Sequence, residues 1–127
     1  MNNQINILLT DDDEGILEII KSEMQELDKS FHIFTAISGR YAFDIIRKQK
    51  IDILITDIAM PDMDGYELYR RVKEIRPEIP IIMMTGFGYD PNHTVVNAKK
   101  AGLKDVIFKP FDTSKLISMI YSVQVEG

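Results

Sequence analysis

The chain has 127 residues, the size of one domain with one core, and is 45% hydrophobic and 28% charged, which excludes a disordered or fibrous chain. Its net charge of −5 argues against a general nucleic-acid-binding surface, and no apolar run approaches the roughly 20 residues of a membrane span. Cysteine is absent, which excludes disulfides and thiolate chemistry; with no basic-then-apolar leader after Met1, a single cytoplasmic domain is expected.

In chain order, short apolar runs alternate with longer amphipathic ones. Strands are predicted at Ile5–Thr10, Phe31–Ala36, Ile51–Asp57, Pro80–Thr85 and Lys104–Phe108, each short and mostly β-branched or aromatic. "IDILITD" and "PIIMMT" are apolar on both faces, as suits strands covered by helices on each side. After the first strand, Ile16, Leu17, Ile19, Ile20, Met24 and Leu27 recur at helical spacing, with Asp13 and Glu14 favouring the helix start. Ser38 can cap a second helix carrying Ala42, Phe43, Ile45 and Ile46. Asp64 with Glu67 resembles a capping pair for a third. Asp90-Pro91 opens a fourth that Ala101-Gly102 closes, and Asp112 or Thr113 starts a fifth with Leu116, Ile117, Ile120 and Tyr121 inward. His32 and His93 are read as surface or edge residues, and the methionines as packing residues.

A regular β-α alternation predicts a doubly wound α/β fold, with a parallel sheet between two helical layers. In such sheets the working site lies outside the carboxyl ends of the strands. Those ends deliver Asp11 and Asp12 after the first strand, Asp57 after the third, Thr85 after the fourth and Lys109 after the fifth. Carboxylates gathered this closely repel one another, and a hard divalent cation removes the conflict. Oxygen ligands without His or Cys point to Mg²⁺. With a lysine and a threonine beside it, the site suits a phosphoryl group held next to a carboxylate, and carboxylate attack on phosphorus gives an acyl phosphate.

"LLTDDD", "ILITDIAMPDMDGYEL", "IIMMTGFG" and "VIFKPF" resemble the motifs of the receiver domain of two-component response regulators. The resemblance covers almost the whole chain and implies a flavodoxin-like (βα)5 fold with strand order 2-1-3-4-5, one receiver domain over residues 1–127 with a core of about 5–124. It implies Asp57 as the phosphoacceptor, supplied by a phosphohistidine on a sensor histidine kinase or histidine phosphotransfer protein. Asp12 resembles the direct Mg²⁺ ligand, with Asp11 helping directly or through water and the Ala59 backbone carbonyl adding an oxygen. Thr85 and Lys109 correspond to the hydroxyl and ammonium that close on the phosphoryl group, and Lys109-Pro110 is expected to be cis. The product is an altered binding face for a downstream effector, formed by the fourth helix, fifth strand and fifth helix. Direct contact with nucleic acid or membrane is not expected, nor is conventional enzymatic turnover beyond self-phosphorylation and dephosphorylation.

Two departures from the family pattern carry expectations. Where receivers often have an aromatic ring, three residues before Lys109, this chain has Val106, so coupling is expected to run through Thr85 and residues 86–91. Ala59 and Phe87 hold positions that tune water access, and their apolar character implies slow hydrolysis of the acyl phosphate. Three rival readings stand beside this one. A flavin carrier would need a phosphate-cradling loop where the aspartates lie. A Mg²⁺-dependent aspartyl phosphatase would use Asp11 and Asp13. A receiver-like module would bind partners without being phosphorylated. Whether the chain is free-standing or part of a larger regulator or hybrid kinase is left open.

Overall fold

The computed structural model describes residues 4–86 and 105–126; the expected fourth helix, His93 and Phe87 lie outside the described residues. Five strands, β1 (Ile5–Thr10), β2 (Phe31–Ala36), β3 (Ile53–Asp57), β4 (Ile81–Thr85) and β5 (Val106–Phe108), form one sheet in the order β2-β1-β3-β4-β5. Every neighbouring pair is parallel. The described helices are α1 (Glu14–Leu27), α2 (Gly39–Lys48), α3 (Gly65–Ile75) and α4 (Thr113–Glu126), the last being the fifth helical pattern of the sequence. None of them is long and apolar enough to cross a membrane.

Alternation along the central strands splits the core into two layers. Ile7 and Leu9 pack with Leu17, Ile20 and Met24 of α1 and Leu116 and Ile120 of α4. Leu8 enters the opposite layer with Ala42 and Ile46 of α2 and Leu68 and Val72 of α3. β3 and β4 are buried along their whole length, which is why their sequences do not alternate with polar residues. Each fully buried Leu or Ile contributes about 1.5–3 kcal/mol by leaving water.

The helices begin where the sequence supplies caps. Asp13 accepts from the Ile16 N–H, Ser38 from Tyr41 and Asp64 from Glu67, so each side-chain oxygen takes one of the free donors of a first turn. Two helix starts also require the absence of a side chain. A Cβ on Gly39 would come within 2.6 Å of the Met63 carbonyl oxygen, and one on Gly65 within 2.5 Å of the Asp57 carbonyl oxygen. The segment joining β3 to α3 is thereby seated against α2, with Asp62 in the left-handed region at φ 67°, which an aspartate tolerates better than most residues.

The structure corrects several expectations. β3 starts at Ile53 and not Ile51, because Asp52 departs from the strand: its carboxylate accepts the Asn6 N–H at 2.8 Å. Ile51 is nonetheless buried. β4 starts one residue later than read, after Pro80, and β5 is shortened to three residues. Ile19 is 60% exposed, since it stands about 200° around the helix from buried Leu17. Leu27, the last residue of α1, is equally exposed. Tyr121 is not inward either: its ring lies 5.9 Å from Phe31, while its hydroxyl reaches out to Asp28 and Ser30. His32 is exposed on edge strand β2, as read.

Candidate functional site

The carboxyl ends of β1, β3, β4 and β5 bring Asp11, Asp57, Thr85 and Lys109 to one rim of the sheet. Asp11 is fixed first. Its N–H donates to the Ala36 carbonyl at 3.2 Å, extending the β1–β2 ladder by one residue, and its Oδ1 accepts the Asp13 N–H at 2.9 Å. This leaves Oδ2 free to face Lys109, whose Nζ donates to it at 2.5 Å and stands 3.5 Å from Asp57 Oδ2. Asp11 is only 1% exposed, so this ammonium compensates a charge that water cannot reach. The Lys109 backbone is held at the rim by its own N–H, which donates to the Thr85 carbonyl at 2.6 Å, and the peptide to Pro110 that follows is cis.

Asp12 is exposed, and one oxygen from each of Asp11, Asp12 and Asp57 lies within 4.8 Å of the others. One ammonium among three carboxylates leaves the group strongly negative. The donor set is entirely carboxylate oxygen, with no His or Cys, which fits a hard divalent cation such as Mg²⁺. Ala59 is half-buried beside the cluster, and its N–H bonds the Asp57 carboxylate.

The electrostatics separate the roles. Burial pushes the Asp57 carboxyl above its usual range; Lys109 opposes this, and the Asp11 charge adds to it. Burial also works against the Lys109 ammonium, but the bond to Asp11 and the charges of Asp57 and Asp11 outweigh it and raise its pKa. Asp57 is thus an ionisable group that gains by having its charge neutralised or spread. Thr85 ends β4 with a buried hydroxyl that has no hydrogen-bond partner among the described residues. Such an orphaned donor on the site rim is available to an incoming acceptor.

Phe87 and residues 88–91 lie outside the described residues; the other residues singled out in the sequence are located in the structure. Val106 sits half-buried in β5 opposite Met83, packed on the α2–α3 side of the core, and Pro110 is exposed. Asp13 is committed to capping α1, which removes it as the free acid that an aspartyl phosphatase would need. Two features were not read from sequence. Lys109 pairs with Asp11 more closely than with Asp57, and Thr56 donates its hydroxyl to the Asp57 backbone carbonyl at 3.0 Å. A hydroxyl directly before the key aspartate was the only available hint of the second.

Comparison with known proteins covers almost the whole chain. A sequence model described as "Response regulator receiver domain" matches residues 7–121. The transcriptional regulatory protein GlrR of Escherichia coli K12 is 30% identical over 115 residues, 91% of this chain but 25% of that protein. The heme response regulator HssR of Staphylococcus epidermidis is 34% identical over 119 residues, 94% of this chain and 51% of that protein. The chain therefore spans between a quarter and about half of the length of these relatives. Among solved structures, a response regulator receiver domain protein from Clostridium thermocellum superposes with a TM-score of 0.81 at 30% identity, covering 94% of this chain and 93% of that one. A CheY-like receiver domain protein from Methanospirillum hungatei gives 0.82 at 28% identity, covering 98% and 99%.

Proposed function

The chain belongs to the response regulator receiver domain family, and from that membership we propose that it is a phosphorylation-activated switch with Asp57 as the phosphoacceptor. The observation that carries the reading is the arrangement of Asp57, Asp11 and Lys109, with Asp12 completing a carboxylate cluster within 4.8 Å. Receiver domains are signalling switches and not conventional enzymes, and the proposed residue-level chemistry follows from this site.

An oxygen of the Asp57 carboxylate attacks the phosphorus of a phosphohistidine on a sensor kinase or phosphotransfer protein. The P–N bond breaks as the P–O bond forms, and the imidazole leaves with its electron pair and takes up a proton. Asp11, Asp12 and Asp57, with the Ala59 backbone carbonyl, would hold Mg²⁺, which supplies positive charge to the phosphoryl oxygens. Lys109 moves from Asp11 and Asp57 to those oxygens, and the Thr85 hydroxyl, without a hydrogen-bond partner among the described residues, donates to another. The added phosphoryl brings about two negative charges, so these two movements are favoured only in the modified form. That difference biases a two-state equilibrium. The affected face includes β5 and α4, where an effector protein or domain is expected to bind. Water attack on the phosphorus later breaks the new P–O bond and restores the carboxylate.

Within this reading residues 1–127 form one receiver domain, working in the cytoplasm either free-standing or as part of a larger regulator. The test is to incubate the chain with Mg²⁺ and phosphoramidate and follow the intact mass. One added phosphoryl group is expected, and none in Asp57→Asn. Lack of labelling in the wild-type chain would instead favour a receiver-like module that binds partners unmodified.

A further inference from the structure

Thr56 is completely buried, next to the end of β3, and its hydroxyl donates to the Asp57 carbonyl oxygen at 3.0 Å. The same peptide is held from its other side, where the Ile58 N–H donates to the Met84 carbonyl at 2.9 Å. The carbonyl oxygen also abuts the first residue of α3, where a Cβ on Gly65 would come within 2.5 Å. Two hydrogen bonds and this close approach of α3 therefore fix one peptide plane. That plane sets the backbone at Asp57, and so the direction from which its carboxylate leaves the chain. It also leads into Ala59, whose N–H bonds that carboxylate.

A neighbour offers an internal comparison. Thr10 of β1 is the register partner of Thr56 and is also fully buried, yet its hydroxyl has no hydrogen-bond partner among the described residues. The two threonines match in burial and pair in register, but Thr56 bonds the backbone of the aspartate that follows it, while Thr10, before Asp11, makes no such bond.

We propose that Thr56 is a positioning residue for Asp57, its hydroxyl clamping the Asp57–Ile58 peptide so that the carboxylate is aligned for in-line attack on phosphorus. The inference rests on Asp57 being the phosphoacceptor. An alignment defect lowers the rate of the chemical step at saturating metal while leaving binding of the phosphodonor intact. A merely structural role lowers stability and leaves the rate per folded molecule unchanged.

The experiment uses the full chain with phosphoramidate and Mg²⁺, well below the unfolding temperature, with acyl-phosphate formation followed by intact mass as phosphodonor concentration is varied. Thr56→Val keeps the shape and removes the hydroxyl; at saturating Mg²⁺ its maximal rate is expected to fall about tenfold, with the half-saturating phosphodonor concentration unchanged. Thr56→Ser restores the hydroxyl and returns the rate to within about threefold of wild type. Thr10→Val keeps the wild-type rate. Thr56→Ala gives the same loss as valine, and decides the matter if the valine chain does not fold. A wild-type rate in the hydroxyl-free variants, no rescue by serine, or an equal loss in Thr10→Val overturns the positioning role. Failure to label the wild-type chain overturns the assignment of Asp57 itself, so the two failures are distinct.

Discussion

Lys109→Met removes the ammonium that bridges Asp11 and Asp57 and keeps most of the apolar stem. The distances of 2.5 and 3.5 Å correspond to gross attractions of about 7 and 5 kcal/mol at an effective dielectric near 20. Much of this is offset by the cost of desolvating the ammonium, whose side chain is 16% exposed. Asp11 is left buried without a counter-charge, and breaking such a pair costs about 3–5 kcal/mol when both groups are fully buried. Because Lys109 keeps some solvent, about 3 kcal/mol is expected, a fall of roughly 10 °C in Tm for a domain of this size. This holds with a chelator present. The variant site carries one more net negative charge, so Mg²⁺ should bind it more tightly and raise its Tm by more than it raises the wild type's. A free concentration of about a hundred times Kd contributes about 2.7 kcal/mol and recovers most of the loss. Differential scanning fluorimetry of both proteins across a Mg²⁺ titration reads all of these quantities. An unchanged Tm in chelator, or an equal Mg²⁺ increment in the two chains, would refute the reasoning that Lys109 is the counter-ion of a metal-competent cluster.

Asp57→Asn is expected to raise Tm by a few degrees in chelator and to reduce the Mg²⁺ increment, since burial and the Asp11 charge both disfavour the ionised carboxylate; a lower Tm in chelator would contradict this. Gly65→Ala places a Cβ against the Asp57 carbonyl oxygen and the Ile58 Cα, backbone atoms with little room to retreat. Urea unfolding should show a loss of about 2–3 kcal/mol. The Tyr121–Asp28–Ser30 cluster gives a pH signature. The Ser30 and Tyr121 hydroxyls lower the Asp28 pKa below 3.8, so this contribution is complete above pH 3.8 and is lost as pH falls through the folded-state value. The bond to Asp28 raises the Tyr121 pKa above 10.0, so its contribution is complete below pH 10.0 and is lost as pH rises through the folded-state value. Tyr121→Phe should therefore lower stability slightly between these limits, by less than about 1 kcal/mol for so exposed a cluster, and the Tm difference should close at both ends of a pH series.

Much of the architecture was legible because local signals agreed. Asp13, Ser38 and Asp64 cap helices where the residue type says they should. Uninterrupted apolar runs marked β3 and β4 as covered on both faces. The site residues were legible through topology: once the strands were placed in a parallel sheet, their carboxyl ends had to converge. What stayed hidden depends on contacts between distant segments. Nothing in the run Ile51–Asp57 says that Asp52 turns aside to take a donor from Asn6, because that donor lies 46 residues earlier. Nor does periodicity show that Tyr121 trades burial for bonds to Asp28 and Ser30, 93 and 91 residues away. The pairing of Lys109 with Asp11 was hidden for the same reason, since either of two aspartates satisfies a lysine read from sequence alone.

The seating of Met63 on Gly39 has a mechanical consequence. Because the backbone of α2 meets the backbone of Met63 there, with no room for even a methyl group, any side chain at position 39 must displace the start of α2 or the segment running from Asp57 to α3. A substitution at position 39, on a helix that supplies none of the charged groups of the rim, would therefore push on the segment that leads from Asp57 into α3. The tolerance of this rim to sequence drift is set in part by a residue that has no side chain.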